Sequence, residues 1–351
     1  MLESLVDSVR PVFDTLVSEA DDNTVIAAHP WVLGARLVQE KYGVPLVTLH
    51  VSPATLLSAK LPPIHRPFRA PLWLPYSVRS GLFWALERGV LDRILGPDIN
   101  RLRSELGLPA VTRIVGRWMH SPQGVLGLFP DWFAAPQADW PPNVSLIGFP
   151  LFDQGNLRSI DLEMEEFLAK GPLPVVFTVG STVIDERSYY ATATTTLKAL
   201  GLRAIFLTSQ ELPPLGPNIL VRPYVPLSRL LPRARAIVHH GGTGTVAHAL
   251  AAGIPQLITP FVYDQFDNAV RIERLGCGIQ LASETLDRSM LPGLRRLLES
   301  VEIQQNCIAL RSRVDSGPSA LRKALSVIQK VASQAWLGSG WSGQGNSLPV
   351  P

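Results

Sequence analysis

The first apolar positions of the chain fall at the three- and four-residue spacing of a helix that buries one side. They are Leu5, Val9, Val12, Phe13 and Leu16. A polar break at residues 21–23 and the β-branched run TVIAA then predict a strand. Residues 31–42 are helical again, Gly43 ends that helix, and residues 44–50 form a second apolar run. Strands that alternate with helices in this way predict a parallel sheet.

A longer apolar pattern follows a proline-rich passage. Residues 76–96 carry an apolar side chain at every fourth position, which predicts an amphipathic helix with the stripe Leu82, Leu86, Val90 and Ile94, widened by Phe83 and Leu91. Trp84 lies off that stripe, which leaves it either an exposed aromatic or part of an apolar pocket. Two short strands are predicted over residues 124–129 and 144–149.

The second half of the chain alternates more regularly. Predicted strands cover 175–179, 204–208, 219–222, 236–239 and 256–259, and predicted helices cover 189–200, 245–252, 265–275, 290–298, 303–314 and 318–335. The fold class is therefore α/β with two Rossmann-like domains, at 1–152 and 153–336, followed by a Gly/Ser/Pro-rich tail at 337–351 that is expected to be disordered. The first domain shows about four strands where five or six are usual, so we expect it to be incomplete.

Composition narrows the function classes. With 46% apolar and 17% charged residues, the 351-residue chain is expected to be globular, and a net charge of +3 without a basic stripe argues against a nucleic-acid partner. Two cysteines make no disulfide framework, which favours the reducing cytoplasm. The acidic N-terminus is unlike a secretory signal, and the apolar runs are shorter than a membrane span.

The stretch VHHGGTGT joins a buried strand to a helix through glycines. Main-chain N–H groups and the positive end of a helix dipole attract anions at such a turn. His240, Thr243 and Thr245 could add donors to a bound phosphate, and glycines let the main chain approach it. The alternative is a turn used only for tight packing, capped by the two histidines.

A dinucleotide site is a rival interpretation. Gly242, Gly244 and Ala247 satisfy GxGxx(G/A), and Asp264 lies twenty residues beyond Gly244. That fingerprint normally follows the first strand of its domain, however, whereas several predicted strands precede this one. The acidic residue of the fingerprint also ends the next strand, whereas Pro260 stops that strand before Asp264, which argues against a dehydrogenase.

Asp264 and Gln265 instead begin the following predicted helix, at the same edge of the sheet as the glycine turn. A carboxylate beside an amide can bind neighbouring sugar hydroxyls. Asp264 is equally well placed to cap that helix.

The ordered pattern HHGGTGT, GIPQLITP and DQFDNAVRIERLGCG resembles the donor-binding signature of family-1 glycosyltransferases of the GT-B type. This resemblance implies an acceptor-binding first domain and a second domain that binds a nucleotide diphosphate sugar. It implies that Ser181 and Thr182 touch the diphosphate or nucleoside, and that Tyr224 and Val225 flank the base. It assigns the diphosphate to His240, Gly242, Thr243, Gly244 and Thr245, and the sugar hydroxyls to Asp264 and Gln265.

More narrowly, residues 31–63 and 118–153 are similar to the rhamnosyltransferases of rhamnolipid synthesis. That similarity implies L-rhamnose from a thymidine diphosphate donor, a lipid or other small hydrophobic acceptor, and possible peripheral contact of a cytoplasmic protein with the inner membrane. The form HHGGTGT is closer to the general family than to these rhamnosyltransferases.

The resemblance also implies direct displacement with inversion at the anomeric carbon. No DxD-type carboxylate pair accompanies the turn, so we expect no metal and no cofactor. The family's first strand and the loop that supplies its base have no counterpart before Met1, which leaves the catalytic base unknown. Candidates on the acceptor side are His29, His50, Trp84 and His120. The chain is therefore expected to be either a glycosyltransferase or a catalytically impaired sugar-nucleotide-binding protein.

Overall fold

The computed structural model describes residues 2–64, 71–156, 160–180 and 186–338. The described residues divide into two compact units. The first contains residues 2–63, 71–150 and 318–338, and the second contains Ile64, residues 151–156, 160–180 and 186–317. Each unit is an α/β layer structure built on its own parallel sheet, as the alternating pattern predicts.

The first unit holds a four-stranded sheet. Its strands, in spatial and chain order, are β1 (Ile26–Ala28), β2 (Leu46–His50), β3 (Val125–Gly127) and β4 (Val144–Leu146). All pairings are parallel, with Ala28 opposite Thr48 and Thr48 opposite Val125. The helices of this unit are α1 (Leu2–Glu19), α2 (Leu33–Tyr42), α3 (Tyr76–Leu86), α4 (Asp92–Glu105) and α12 (Gly317–Gly338), whose first residue belongs to the second unit. The four predicted strands are thus confirmed.

The helix predicted over residues 76–96 differs from expectation in phase. A π-helical turn at Glu87–Leu91 separates α3 from α4, and the helical path continues to Glu105. The buried side of this path carries Arg79, Glu87 and Leu95, whereas the stripe residues Leu82, Val90 and Ile94 are exposed both before and after that turn. A uniform 3.6-residue period therefore assigned the wrong side of this segment to the interior.

The second unit holds a six-stranded parallel sheet with spatial order β10-β9-β8-β5-β6-β7. The strands are β5 (Val175–Thr178), β6 (Ala204–Leu207), β7 (Ile219–Arg222), β8 (Ala236–His239), β9 (Gln256–Ile258) and β10 (Gly278–Gln280). The helices are α5 (Leu162–Ala169), α6 (Glu186–Leu200), α7 (Leu227–Leu230), α8 (Thr243–Ala252), α9 (Gln265–Arg274), α10 (Leu286–Glu299) and α11 (Val301–Arg311). Strand β10 was not predicted, because its sequence Gly-Ile-Gln contains a single large apolar residue.

The strand order reverses between β5 and β8. From β5 the chain proceeds outward through β6 and β7, and it then returns to place β8 on the other side of β5. The two strands run in register, with Thr178 opposite His239 at their carboxyl ends. In open parallel sheets a crevice forms at this point, and ligands bind in it.

The last helix, α12, returns to the first unit. Its Ala320 and Val331 are buried against Val47, Leu126 and Ile147 of the first sheet. The sequence expectation placed residues up to 336 in the second domain, because periodicity shows that a helix has an apolar face but not which sheet covers that face. Residues 337 and 338 end α12, and the rest of the predicted tail lies outside the described residues.

Among the described residues, no helix is long and apolar enough to cross a membrane.

Candidate functional site

Two glycine-containing turns leave the sheet of the second unit side by side. Gly180 follows β5, and His240 and Gly241 follow β8, at the point where the strand order reverses. Gly180 has φ 70° and Gly241 has φ 95°, a region of backbone conformation that favours glycine. A side chain on Gly241 would also lie 2.9 Å from Ile258 Cγ2. The sharp turn after β8 therefore depends on that glycine.

His239 holds this turn from inside. The ring is fully buried, its Nδ1 accepts a hydrogen bond from the Gly241 N–H at 3.1 Å, and its Nε2 lies 3.0 Å from Gln256 Oε1. Burial lowers the pKa of His239 to about 3, with the neighbouring His240 acting in the same direction. A neutral ring protonated on Nε2 fits both partners. The capping role that the sequence left open for two histidines is filled by His239.

His240 lies on the other side of the turn, between two glycines. A Cβ added to Gly180 would lie 2.5 Å from its Cε1, and a Cβ added to Gly242 would lie 2.5 Å from its Nε2. The ring therefore occupies space that exists only because both neighbours lack a side chain. Gly180 was missed by the sequence analysis, since the resemblance pointed to the residues that follow it.

The His240 ring keeps an unused polar atom. Its Nδ1 is buried and has no hydrogen-bond partner among the described residues. Burial lowers the pKa of His240, and the carboxylate of Asp264 partly opposes that shift. Buried polar atoms are nearly always paired, so an unpaired nitrogen beside an open turn fits a ligand atom.

Helix α8 begins at the same place. Its N-cap is Gly242, which supplies no side-chain cap, and an added Cβ on Gly244 would meet nothing within 4 Å. The N–H groups of a first helical turn have no acceptor within the helix, and the helix dipole adds positive potential. The space around Gly244, edged by the partly buried Thr243 and Thr245, can therefore accommodate an anion.

Asp264 stands at the N-cap position of α9 but makes no capping hydrogen bond. Its Oδ2 instead accepts from Thr243 Oγ1 at 3.1 Å and from Asn268 Nδ2 at 3.0 Å. Asn268 Nδ2 also donates to the Gly241 carbonyl at 2.9 Å. The carboxylate is therefore joined to the glycine turn. Asn268 is fully buried, and its place one helical turn after Asp264 was the available sequence signal for it.

Gln265 is turned inward. Its Oε1 accepts the N–H groups of Phe261 at 2.8 Å and Val262 at 3.0 Å, and the residue is buried. These bonds fix the loop that carries Tyr263, a non-glycine residue with φ 56°. A contact of Gln265 with a sugar remains a prediction, and its oxygen already serves as a structural acceptor.

The predicted base-binding residues are adjacent but differ in exposure. Tyr224 is half-exposed, and its hydroxyl accepts from the Gln154 N–H at 3.3 Å, whereas Val225 is buried in the core of the second unit. Ser181 and Thr182 lie outside the described residues. The structure thus brings together His240, Gly242, Thr243, Gly244, Thr245 and Asp264.

Two acceptor-side candidates in the first unit also meet. His50 Nε2 lies 3.1 Å from His120 Nδ1, and His50 Nδ1 lies 2.7 Å from Thr55 Oγ1. Burial, reinforced by His120 and His29, holds the pKa of His50 well below its usual range, and burial lowers the pKa of His120 to about 4. Both rings are therefore neutral near pH 7. Trp84 is exposed on α3, whereas His50 and His120 are buried.

Within the described residues, no group of three or more His, Cys, Asp or Glu side chains could hold a metal ion.

Residues 206–329 match the family described as erythromycin biosynthesis protein CIII-like, C-terminal domain. This range contains the whole glycine turn, α8 and α9. The chain is also similar to O-mycaminosyltylonolide 6-deoxyallosyltransferase of Streptomyces fradiae. The two are 33% identical over 182 residues, which cover 51% of this chain and 43% of the relative. The chain thus spans less than half the length of that relative.

Solved structures share the two-domain architecture. The glycosyltransferase of kitacinnamycin superposes with a TM-score of 0.69 at 20% identity and covers 94% of this chain and 81% of its own. The glycosyltransferase VinC, solved in complex with dTDP, superposes with a TM-score of 0.60 at 20% identity, covering 95% and 76%. The fold of the chain is thus the GT-B fold of these glycosyltransferases, and the sequence of its second unit is similar to the erythromycin biosynthesis CIII-like family.

Proposed function

We propose that the second unit binds a nucleoside diphosphate sugar and that the protein transfers the sugar to a hydroxyl of a hydrophobic acceptor. The observation that carries the proposal is the His240 ring, held between Gly180 and Gly242 beside the first turn of α8, whose Nδ1 has no partner in the part of the chain that the structure describes. One imidazole, a set of main-chain N–H groups and a helix dipole match the charge of a diphosphate.

The same groups would act on the leaving group. In the proposed displacement an acceptor oxygen bonds to the anomeric carbon from the face opposite the diphosphate. The bond to the diphosphate oxygen then breaks with its electron pair, and the hydroxyl proton passes to a general base. Donors that are already oriented toward the departing phosphate stabilise its growing charge at little reorganisation cost. This route inverts the anomeric configuration and, in our proposal, needs no metal.

Asp264 would orient the sugar. Its carboxylate accepts hydrogen bonds from Thr243 and Asn268, and these bonds hold it beside the glycine turn. A carboxylate held in this way can accept hydrogen bonds from sugar hydroxyls, which a diphosphate lacks.

A thymidine diphosphate donor is proposed because the VinC structure contains dTDP. The name of the S. fradiae relative specifies a 6-deoxyhexose, and L-rhamnose belongs to that class. The similarity of residues 31–63 and 118–153 to rhamnosyltransferases supports L-rhamnose and a hydroxyacyl lipid as the first pair to test. A lipid acceptor would bring the protein to a membrane surface.

The reaction can be tested by incubating the full chain with thymidine diphosphate L-rhamnose and a β-hydroxyacyl lipid. We expect release of thymidine diphosphate and a rhamnosyl lipid of opposite anomeric configuration, undiminished in excess EDTA. Tight binding of the nucleotide sugar without transfer to any offered hydroxyl would favour a non-catalytic sugar-nucleotide-binding protein. Failure to bind thymidine or uridine diphosphate would contradict both the glycosyltransferase and the sugar-nucleotide-binding protein.

His240→Ala should weaken thymidine diphosphate binding roughly ten- to hundredfold in calorimetry, because a hydrogen bond to a charged group is worth about 1.5–3 kcal/mol. Gly242→Ala should also weaken binding, since its new Cβ would displace the His240 ring. The double variant should bind no worse than His240→Ala alone.

Gly89→Ala is the matched control, because an added Cβ there meets nothing within 4 Å. Additive losses in the double variant, or unchanged binding in His240→Ala, would contradict the role assigned to the ring.

Asp264→Ala should weaken binding of the nucleotide sugar at least tenfold while changing the affinity for free thymidine diphosphate less than threefold. Asp161→Ala serves as the comparison, because Asp161 caps α5 by accepting from the Met164 N–H at 2.8 Å. Loss of that cap should lower the melting temperature without affecting either ligand. An Asp264→Ala variant that loses both ligands equally and melts earlier would show a structural role only.

A further inference from the structure

Helix α3 presents an uncharged face to solvent. Its exposed positions are Tyr76, Ser77, Val78, Gly81, Leu82, Trp84 and Ala85, none of which is charged. The preceding loop adds Leu72 and Trp73, the latter 82% exposed. We call Leu72, Trp73, Val78, Leu82 and Trp84 the aromatic face. A soluble surface rarely leaves such a run of large apolar side chains together unless it is a contact site.

Hydrogen bonds from Arg79 hold the segments that surround the aromatic face. Arg79, on the opposite side of α3, is buried, and its guanidinium donates to the Leu72 carbonyl at 2.9 Å and to the Lys60 carbonyl at 3.4 Å. These bonds attach two loops to the helix. The aromatic face therefore has a defined conformation.

Nearby carboxylates are directed into the protein. Glu87 is buried, where it accepts from the Gly116 N–H at 2.6 Å and pairs with Arg113 Nε at 3.0 Å. Asp92 accepts the N–H groups of Arg113 at 2.7 Å and Ile114 at 3.0 Å. Both acids of the segment between residues 71 and 94 are thus engaged with the chain that follows α4.

Cationic side chains remain at the rim. Lys60 is exposed, with its Nζ 5.8 Å from the centre of the Tyr76 ring, and Arg88 is exposed, with its guanidinium carbon 6.0 Å from the Trp84 ring. Arg93 is exposed beyond the π-helical turn. The surface therefore has an apolar, aromatic centre and a positive border.

We infer that the aromatic face docks on the surface of an anionic lipid bilayer. Tryptophan and tyrosine favour the level of the lipid headgroups, aliphatic side chains enter the acyl boundary, and lysine and arginine attract anionic headgroups. Each basic residue near such a surface adds attraction that salt weakens. A protein partner would require complementary acidic and apolar groups, whereas a bilayer supplies both together. The inference concerns the first unit and is independent of nucleotide binding by the second.

The test is sedimentation of the full chain with vesicles of phosphatidylglycerol and phosphatidylcholine in equal parts. We expect binding that weakens at least tenfold in the Trp73→Ser/Trp84→Ser variant and in the Lys60→Glu/Arg88→Glu variant. Binding of the wild-type chain should also fall at high salt. All the replaced side chains are exposed, so melting temperatures should stay within a few degrees.

Two controls match these changes on the second unit. Ile308→Ser removes an apolar side chain that is 67% exposed, and Arg295→Glu reverses an exposed charge. Neither should alter vesicle binding.

Several results would overturn the inference. These are absence of binding, equal binding to pure phosphatidylcholine, or equal losses in the control variants. A wild-type dimer that the double tryptophan variant converts to a monomer, without vesicle binding by either, would assign the face to a second copy of this chain. The tryptophan and charge-reversal variants should keep the wild-type affinity for thymidine diphosphate. That measurement separates a failure of the membrane inference from a failure of the proposed function.

Discussion

The candidate site depends on one steric constraint, the space for an imidazole ring between two strand ends. Strands β5 and β8 are neighbours in the sheet, and Gly180, which follows β5, packs against His240, which follows β8. The His240 ring fits there because Gly180 and Gly242 have no side chains. The ring is thereby fixed beside the first turn of α8, where a nitrogen that has no partner among the described residues can meet an anion. A preorganised donor loses little entropy when its ligand arrives.

A second set of contacts connects this candidate site to its surroundings. Asn268 binds both the Gly241 carbonyl and Asp264, so α9 cannot shift without disturbing the glycine turn. His239 performs the corresponding task from the interior, as a neutral ring whose two nitrogens are both used. The adjacent histidines therefore differ in their surroundings, because the His239 ring is fully buried with both nitrogens bonded and the His240 ring packs between Gly180 and Gly242. Residue type alone does not distinguish them.

Much of this arrangement could be predicted from sequence, for identifiable reasons. Buried β-branched runs gave the four strands of the first unit and five of the six in the second. The glycine turn was recognisable because strand, glycines and helix are consecutive in the chain. Gly180 and Asn268 were not recognised, because their importance arises from strand neighbours and helix contacts distant in sequence.

The exposed stripe of α3 and α4 shows a different limit. The apolar residues Leu82 and Val90 are exposed there, whereas the polar residues Arg79 and Glu87 are buried and paired. Hydrophobic periodicity assigns polar residues to the surface and so indicated the wrong side. The helix α12 shows a third limit, since its apolar side was evident but the sheet that covers it was not. Local pattern therefore predicted the elements better than it predicted their partners.

The central claim is that His240 and the first turn of α8 bind the diphosphate. A crystal structure of this chain with thymidine diphosphate tests it most directly. The account predicts phosphate oxygens within hydrogen-bond distance of a His240 ring nitrogen and of main-chain N–H groups between Gly242 and Thr245. A well-ordered diphosphate elsewhere on the protein, with the His240 ring still unpaired, would contradict it.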